Sequence, residues 1–339
     1  MDSRCAVVIT TVQSPTPAVR KWIAVLQETS TAPIIIGDAK GPFAYDERCE
    51  FYSFERQSSL KFNLSKSLPV NHYARKNLGY LVAAEQGAEI IYETDDDNCP
   101  MAGWDLRMRS RLECRQVKTT GWVNAFRYFT DEKIWPRGFP LDEILKPLPL
   151  ATASGADCYA PIQQGLANGE ADVDAIWRLL FDRSIVFDEG DPIFLGKRRW
   201  CPFNSQSTWW HRETLPLMYL PSCHSRRMTD IWRSFVAQRC LWEIDAGVIF
   251  HGPEVFQTRN PHVIIDDFKQ EIDGYLRNRD ICDCLEALNL SPKDMIANVV
   301  KCYEALVRAG HFPEGELRLV YDWSKDVERV GSAGVHQRT

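Results

Sequence analysis

No apolar run in this 339-residue chain approaches the roughly 20 residues that cross a bilayer. The opening MDSRCAVVITT lacks a basic region followed by a signal-length apolar stretch, so a soluble chain is expected. Positive charge is not in excess. Forty Lys and Arg stand against 46 Asp and Glu, a net charge of -6 that argues against a general binder of nucleic acid or anionic membranes. Neither GxGxxG nor GxxxxGKS occurs, which removes the dinucleotide fingerprint and the P-loop. The 11 cysteines are scattered and odd in number, a pattern that fits a reducing compartment better than a disulfide framework. Cys282 and Cys284 are the one close pair, with no second pair or histidine cluster to complete a tetrahedral metal site, so buried thiols are expected. The sequons at Asn63 and Asn289 are discounted for want of a secretory signal.

What is present is a globular composition, 45% hydrophobic and 25% charged, in a chain long enough for one large or two ordinary domains. The most informative segment is AEIIYETDDDN. Ala88 to Thr94 carries β-formers without alternation, as in a strand covered on both faces of a mostly parallel sheet, and Asp95, Asp96 and Asp97 follow at its carboxyl end. Three adjacent carboxylates repel one another unless a cation or a basic ligand neutralises them. Their hard oxygens suit Mg²⁺ or Mn²⁺, and a solvated acidic loop is the plain alternative.

Upstream, Ala6 to Thr11 reads as a strand, Ala18 to Gln27 as a helix opened by Pro17, and Pro33 to Gly37 as a second strand. Phe51 to Phe54 is a candidate third strand, and Asn71 to Gln86 a helix leading into the aspartate strand. Strand, helix, strand begins a parallel α/β unit, whose ligands bind beyond the carboxyl ends of the strands. That order puts Thr10, Asp38 and the aspartates along one sheet edge, where a nucleotide can lie with its base near Thr10 and its diphosphate near the acids. Arg75 and Lys76, at the start of the preceding helix, are candidates to pair with diphosphate or with the aspartates themselves.

At this point the residues carry a family resemblance. Tyr73-Ala-Arg-Lys-Asn-Leu-Gly-Tyr80 and Thr94-Asp-Asp-Asp-Asn98 resemble segments of nucleotide-sugar enzymes of the GT-A glycosyltransferase fold, above all the STELLO-type glycosyltransferases. The reversibly glycosylated polypeptides that act as UDP-arabinopyranose mutases are similar as well. The likeness continues through Ile134-Trp-Pro-Arg-Gly-Phe-Pro140, Asp172-Val-Asp-Ala-Ile-Trp-Arg178, Cys201-Pro-Phe-Asn-Ser-Gln206 and Thr229-Asp-Ile-Trp-Arg233. Arg259-Asn-Pro-His262 and the stretches around Tyr303 and Trp323-Ser-Lys-Asp326 favour the STELLO side. The membrane anchor of plant STELLO proteins has no counterpart here, so only the catalytic domain is taken as shared and a cytoplasmic location is expected.

The resemblance implies an α/β, GT-A fold: a mostly parallel sheet flanked by helices. It also implies transfer of a sugar from a nucleotide-diphosphate sugar, a UDP-sugar first of all, to an acceptor glycan, protein or small molecule. Asp95, Asp97 and His262 are then the metal ligands, with His251 a competitor for the last role, and Asp96 faces the sugar. Asp230 is a general base or hydroxyl ligand, and also a candidate N-cap of a helix from Ile231 to Glu243. Trp232 and Arg233 extend the site, burial of Trp232 in the core being the plainer reading. Asp172 and Asp174 bind donor hydroxyls unless they serve only the helix they precede, and Asn204 and Gln206 orient substrate. Arg137 raises the mutase alternative, self-glycosylation, although a guanidinium is a poor nucleophile. A non-catalytic scaffold for glycan-making enzymes is the competing class.

From Asp266 onward, charged helical segments follow at Asp267 to Leu276, Ile281 to Leu288, Pro292 to Ala309 and Glu316 to Val330. The expected organisation is therefore a catalytic domain over 1–265, a helical appendage over 266–330 and a frayed tail over 331–339. The appendage is open to three roles: lid, acceptor platform or homo-oligomer contact.

Overall fold

The structure, a computed structural model, describes residues 5–29, 31–45, 48–258 and 263–336. Its strands are β1 (Cys5–Thr10), β2 (Ile34–Ile36), β3 (Glu50–Tyr52), β4 (Ile90–Asp95), β5 (Asn98–Pro100), β6 (Arg111–Gln116), β7 (Gly121–Trp122), β8 (Ala156–Tyr159), β9 (Ile162–Gly169), β10 (Ile193–Leu195), β11 (Arg199–Trp200), β12 (Ser207–His211) and β13 (Val248–Gln257). The helices are α1 (Pro17–Gln27), α2 (Phe54–Ser58), α3 (Lys76–Glu85), α4 (Ala175–Phe181), α5 (Thr229–Leu241), α6 (Ile264–Glu286), α7 (Met295–Arg308) and α8 (Gly315–His336).

Eleven strands form one mixed sheet in the order β3-β2-β1-β4-β12-β9-β13-β10-β6-β8, with β5 beside β13. The half from β3 to β4 is parallel, β12 enters antiparallel between β4 and β9, and β9 pairs parallel with β13. This is the α/β class expected, a sheet flanked by helices. The unbroken apolar runs now have a physical reason: alternate residues feed opposite layers. Val8, Ile34 and Ile36 join the cluster that includes α3, while Val7, Ile9 and Ile35 join the one built on Trp22 and Ile23 of α1. Gly79 lets α3 settle on the sheet, since a Cβ there would stand 2.5 Å from Val8 Cγ1.

Several boundaries differ from expectation. The helix expected over Asn71 to Gln86 is a single 3-10 turn, Tyr73–Arg75, followed by α3. The two segments expected over Asp267 to Leu276 and Ile281 to Leu288 are one helix, α6. Its polar middle reads as a break, but Asn278 is buried, accepting from Trp232 Nε1 (2.8 Å) and donating to Gly138 O (2.7 Å). The cysteine expectation is corrected at one place, where neighbouring β6 and β8 bring Cys114 and Cys158 into a disulfide; the other nine are thiols.

The C-terminal helices share the larger hydrophobic cluster with the sheet: Ile281, Cys302, Tyr303, Phe312 and Trp323 lie in it beside Leu78 and Trp232. Two buried acids of α8 fix the docking. Asp326 accepts from the Leu64 and Asn63 backbone amides at 2.9 Å, and Glu316 accepts from Cys223 N at 2.8 Å. Among the described residues no helix is long and apolar enough to cross a membrane.

Candidate active site

The carboxyl ends of β1, β2 and β4 lie side by side, Thr10 registering with both Ile36 and Asp95. Beyond them opens a cavity of about 400 Å³, lined among others by Thr10, Asp38, Arg75, the three aspartates, Arg137, Asp172 and Asp230. The sheet edge and the loops carrying the RGFP and TDIW segments thus form one hollow.

The three aspartates point three ways, because each is tied to a different part of the rim. Asp95, the last residue of β4, accepts from Tyr73 Oη (2.6 Å) and Lys76 Nζ (2.8 Å). Burial raises its pKa, and the Lys76 ammonium works against that rise. Asp96 accepts from Thr11 Oγ1 (2.5 Å) and Gln13 Nε2 (3.1 Å), and Asp97 from Gln257 Nε2 (3.2 Å) at the end of β13. Splaying the carboxylates in this way reduces their mutual repulsion, and all three residues line the cavity.

Among the described residues no group of three or more His, Cys, Asp or Glu is arranged to hold a metal ion. His262 lies outside the described residues. The donor set nonetheless suits a hard cation of the Mg²⁺ kind, which is commonly held by one or two carboxylates and completed by substrate phosphates and water. His251 is buried within β13, its Nε2 3.0 Å from Gln163 Oε1, and does not line the cavity.

The same cavity holds a second charged group, joined to Asp95 through Tyr73 and Ser205. Arg137 donates from Nε and Nη2 to the two oxygens of Asp172, both at 2.8 Å. It donates from Nη1 and Nη2 to those of Asp230, both at 2.9 Å. Burial alone would lower the arginine pKa, but the two carboxylates hold it well above the ordinary value. The Arg-Gly-Phe spelling follows from packing. Gly138 has φ +86°, and a Cβ there would meet Ile231 Cγ2 of α5 at 2.4 Å, so glycine lets this loop lie against the helix that carries Asp230.

Other expected site residues are placed differently. Asp230 is not an N-cap: α5 begins at Thr229, capped from Met228 without a side-chain bond, and Asp230 sits in its first turn. Asp174 caps α4, accepting from Trp177 N (2.8 Å) and Trp135 Nε1 (2.7 Å), away from the cavity. Asn204 reaches the site through Asp172, donating at 2.8 Å. Trp232 and Arg233 are core residues. Trp232 packs among aromatic rings, and Arg233 pairs with Glu93 under the sheet. Their helix spacing from Asp230 turns them inward, away from the hollow.

Asp38 lines the cavity, but its oxygens already accept from the backbone amides of Ala39, Asn71 and His72. Arg75 is buried beside it, donating to Gln57 Oε1 (2.8 Å) and to the Leu68 and Pro69 carbonyls; among the described residues no carboxylate forms a salt bridge with it, and the Asp38 charge acts on it without one. Lys76 turns the other way, onto Asp95 and Thr94 O. Sequence reasoning missed Tyr73, Ser205, Gln257, Arg226 and Arg227 as lining residues. Tyr73 and Ser205 stood in the quoted motifs; Gln257 carried no sequence signal and is seen to reach the site only as the last residue of the long β13.

Residues 227–334, from the turn before α5 through α8, match the family model of the STELLO glycosyltransferases. The chain is 26% identical over 303 residues to the probable glycosyltransferase STELLO2 of Arabidopsis thaliana, and 27% identical over 305 residues to STELLO1. Each alignment covers 83% of this chain, which spans 39% of the length of either relative. Two solved structures are also similar, both of glucosyl-3-phosphoglycerate synthase from Mycobacterium tuberculosis. The complex with phosphoglyceric acid is 13% identical with a TM-score of 0.41, covering 82% of this chain and 80% of that one. The complex with Mn²⁺ and UDP-glucose is 10% identical with a TM-score of 0.38, covering 82% and 79%. The family match and the two curated relatives bear out the likeness read from the motifs: this chain is similar to the STELLO glycosyltransferases.

Proposed function

We propose that the cavity transfers a sugar from a nucleotide-diphosphate sugar to an acceptor hydroxyl, with a divalent cation, Mn²⁺ or Mg²⁺, at Asp95 and Asp97. The observation that carries this reading is the meeting of two unlike charged groups on one hollow: the splayed aspartates on the sheet edge, and the Asp172–Arg137–Asp230 group beside them. His262 follows β13 and is retained as a further ligand. A divalent cation bound there supplies Lewis-acid neutralisation of the leaving diphosphate, a contribution of several kcal/mol in such reactions.

The chain's own residues do the rest. Thr10, at the end of β1, and Asp38, as the clamp that shapes the Asn71–His72 turn, border the nucleoside. Arg75 is a buried cation whose hydrogen bonds among the described residues go to neutral acceptors, and a diphosphate oxygen would give it a direct negative partner beyond the Asp38 charge nearby. Asp96 and Asp172 accept sugar hydroxyls. Asp230 receives the acceptor proton as the acceptor oxygen attacks the anomeric carbon, while the electron pair of the breaking bond leaves with the diphosphate. Arg137 holds Asp172 and Asp230 in one plane and is a positioning residue. Its bonds to both carboxylates leave no neutral nitrogen for attack on a sugar, which favours transfer over a mutase that glycosylates itself.

The test is donor consumption followed by mass spectrometry, with uridine-diphosphate sugars as first donors. Release of nucleoside diphosphate that stops in Asp97→Ala, with no sugar mass on Arg137, is the expected result. A sugar adduct on Arg137 would establish the mutase reading instead, and partner binding without any turnover a scaffold.

A further inference from the structure

Buried polar atoms without a partner collect at this cavity: Thr10 Oγ1, Asn71 Oδ1, His72 Nε2 and Gln206 Oε1 all belong to residues that line it. Gln206 is the most enclosed of these, 7% exposed, and its surroundings dictate which end of its amide is left over. Asp97 can only accept, so Gln257 must turn Nε2 toward it (3.2 Å). The Gln257 carbonyl oxygen then faces Gln206 and must receive Nε2 from it (2.9 Å). Turning either amide would set two oxygens against each other. The polarity therefore runs in one direction from Asp97 through two glutamines, and it ends in a carbonyl oxygen that no donor among the described residues satisfies. An unsatisfied buried acceptor costs on the order of 1–3 kcal/mol.

The backbone of Gln206 is held as firmly as its side chain. Its N–H donates to Asn204 Oδ1 (3.0 Å), and Asn204 in turn donates to Asp172 (2.8 Å). Gln206 thus bridges the aspartate edge and the Asp172–Arg137–Asp230 group. We infer that Gln206 is a specificity-determining residue whose Oε1 accepts a hydrogen bond from one hydroxyl of the transferred sugar. The inference rests on the donor-binding reading of the cavity. It adds that the site requires a hydrogen-bond donor at that sugar position, because Asp97 prevents the amide from turning round to offer its own N–H.

The experiment measures calorimetric affinities of the full chain for UDP, UDP-glucose, UDP-galactose and GDP-mannose with Mn²⁺, then for the monodeoxy analogues of the sugar nucleotide bound most tightly. In the unaltered protein one monodeoxy analogue should bind about 5-fold more weakly than its parent, the size of one neutral hydrogen bond. Gln206→Met should bind UDP as before, weaken the parent to the level of that analogue and abolish the discrimination between them. Equal binding of all monodeoxy analogues by the unaltered protein overturns the inference, even should Gln206→Met fail to fold. So does discrimination that persists in Gln206→Met. Binding of UDP that Asp97→Ala abolishes, alongside either of those results, overturns the role of Gln206 while leaving the donor site standing. Absence of all nucleotide binding overturns both.

Discussion

Two buried arginines, fewer than a hundred residues apart in sequence, do opposite work. Arg233 meets one carboxylate, Glu93, at 2.6 and 2.9 Å. Tyr80 and Trp210 complete the enclosure, and neither charged residue exposes more than 1% of its side chain. Arg137 meets two carboxylates on a cavity wall. The first arrangement pairs one cation with one carboxylate inside the core, Arg233 Nε alone of the guanidinium nitrogens lacking a partner among the described residues, so it holds α5 to the sheet away from the cavity. The second belongs to residues that line the cavity, where a ligand would meet it.

The comparison is broken most severely on the core side. Glu93→Ala should cost about 3–5 kcal/mol of stability, because Arg233 is left buried without a counter-charge; urea unfolding measures it. Donor affinity of the folded fraction should be unchanged. On the cavity side the loss should fall on function. Arg137→Lys keeps the charge but cannot fork onto both Asp172 and Asp230, so kcat should fall by about 100-fold, with a stability loss under about 2 kcal/mol. Equal stability losses in the two variants would erase the distinction.

A smaller effect is expected where the two regions touch. Gly138→Ala adds a Cβ against Ile231 and strains a residue with φ +86°, at a cost of about 1–3 kcal/mol. It should lower kcat as well, since Arg137 and Asp230 would be pushed apart. The smallest effect is a change of pH slope. Burial pushes the Asp174 carboxyl up from 3.8 to about 7; Glu271 adds to the rise, while the bonds from Trp177 and Trp135 and the charge of Arg227 oppose it. Tyr275 also lies beside it. A carboxyl raised on folding binds its proton more tightly in the folded state, so its contribution is full below about pH 4 and is lost as pH rises toward 7. Asp174→Asn should flatten that slope in thermal melts taken across the window, without altering donor affinity at fixed pH.

The layered sheet and the strand-end position of the aspartates were legible in the sequence, because covered parallel strands are written as continuous apolar runs. Val7 and Val8 belong to different layers, yet both must be apolar. The antiparallel entry of β12 was not legible, since its pairing with β4 joins residues more than a hundred positions apart. Within the site, short motifs located residues better than they located side chains. TDIWR brought Asp230 to the cavity and hid Trp232 and Arg233, because a helix turns successive residues to different faces. The long α6 escaped for a related reason: Asn278 looks like a surface break until its partners, Trp232 and Gly138, are in view.

The most direct test of the account is calorimetric titration of nucleoside diphosphates and their sugars into the full chain, with and without Mn²⁺, for the unaltered protein and for Asp95→Ala/Asp97→Ala. The account predicts binding of one nucleotide class that strengthens with Mn²⁺ and is lost in the double variant while Glu93 and Arg233 still hold the fold. Nucleotide binding that neither the metal nor the two aspartates affects would contradict it.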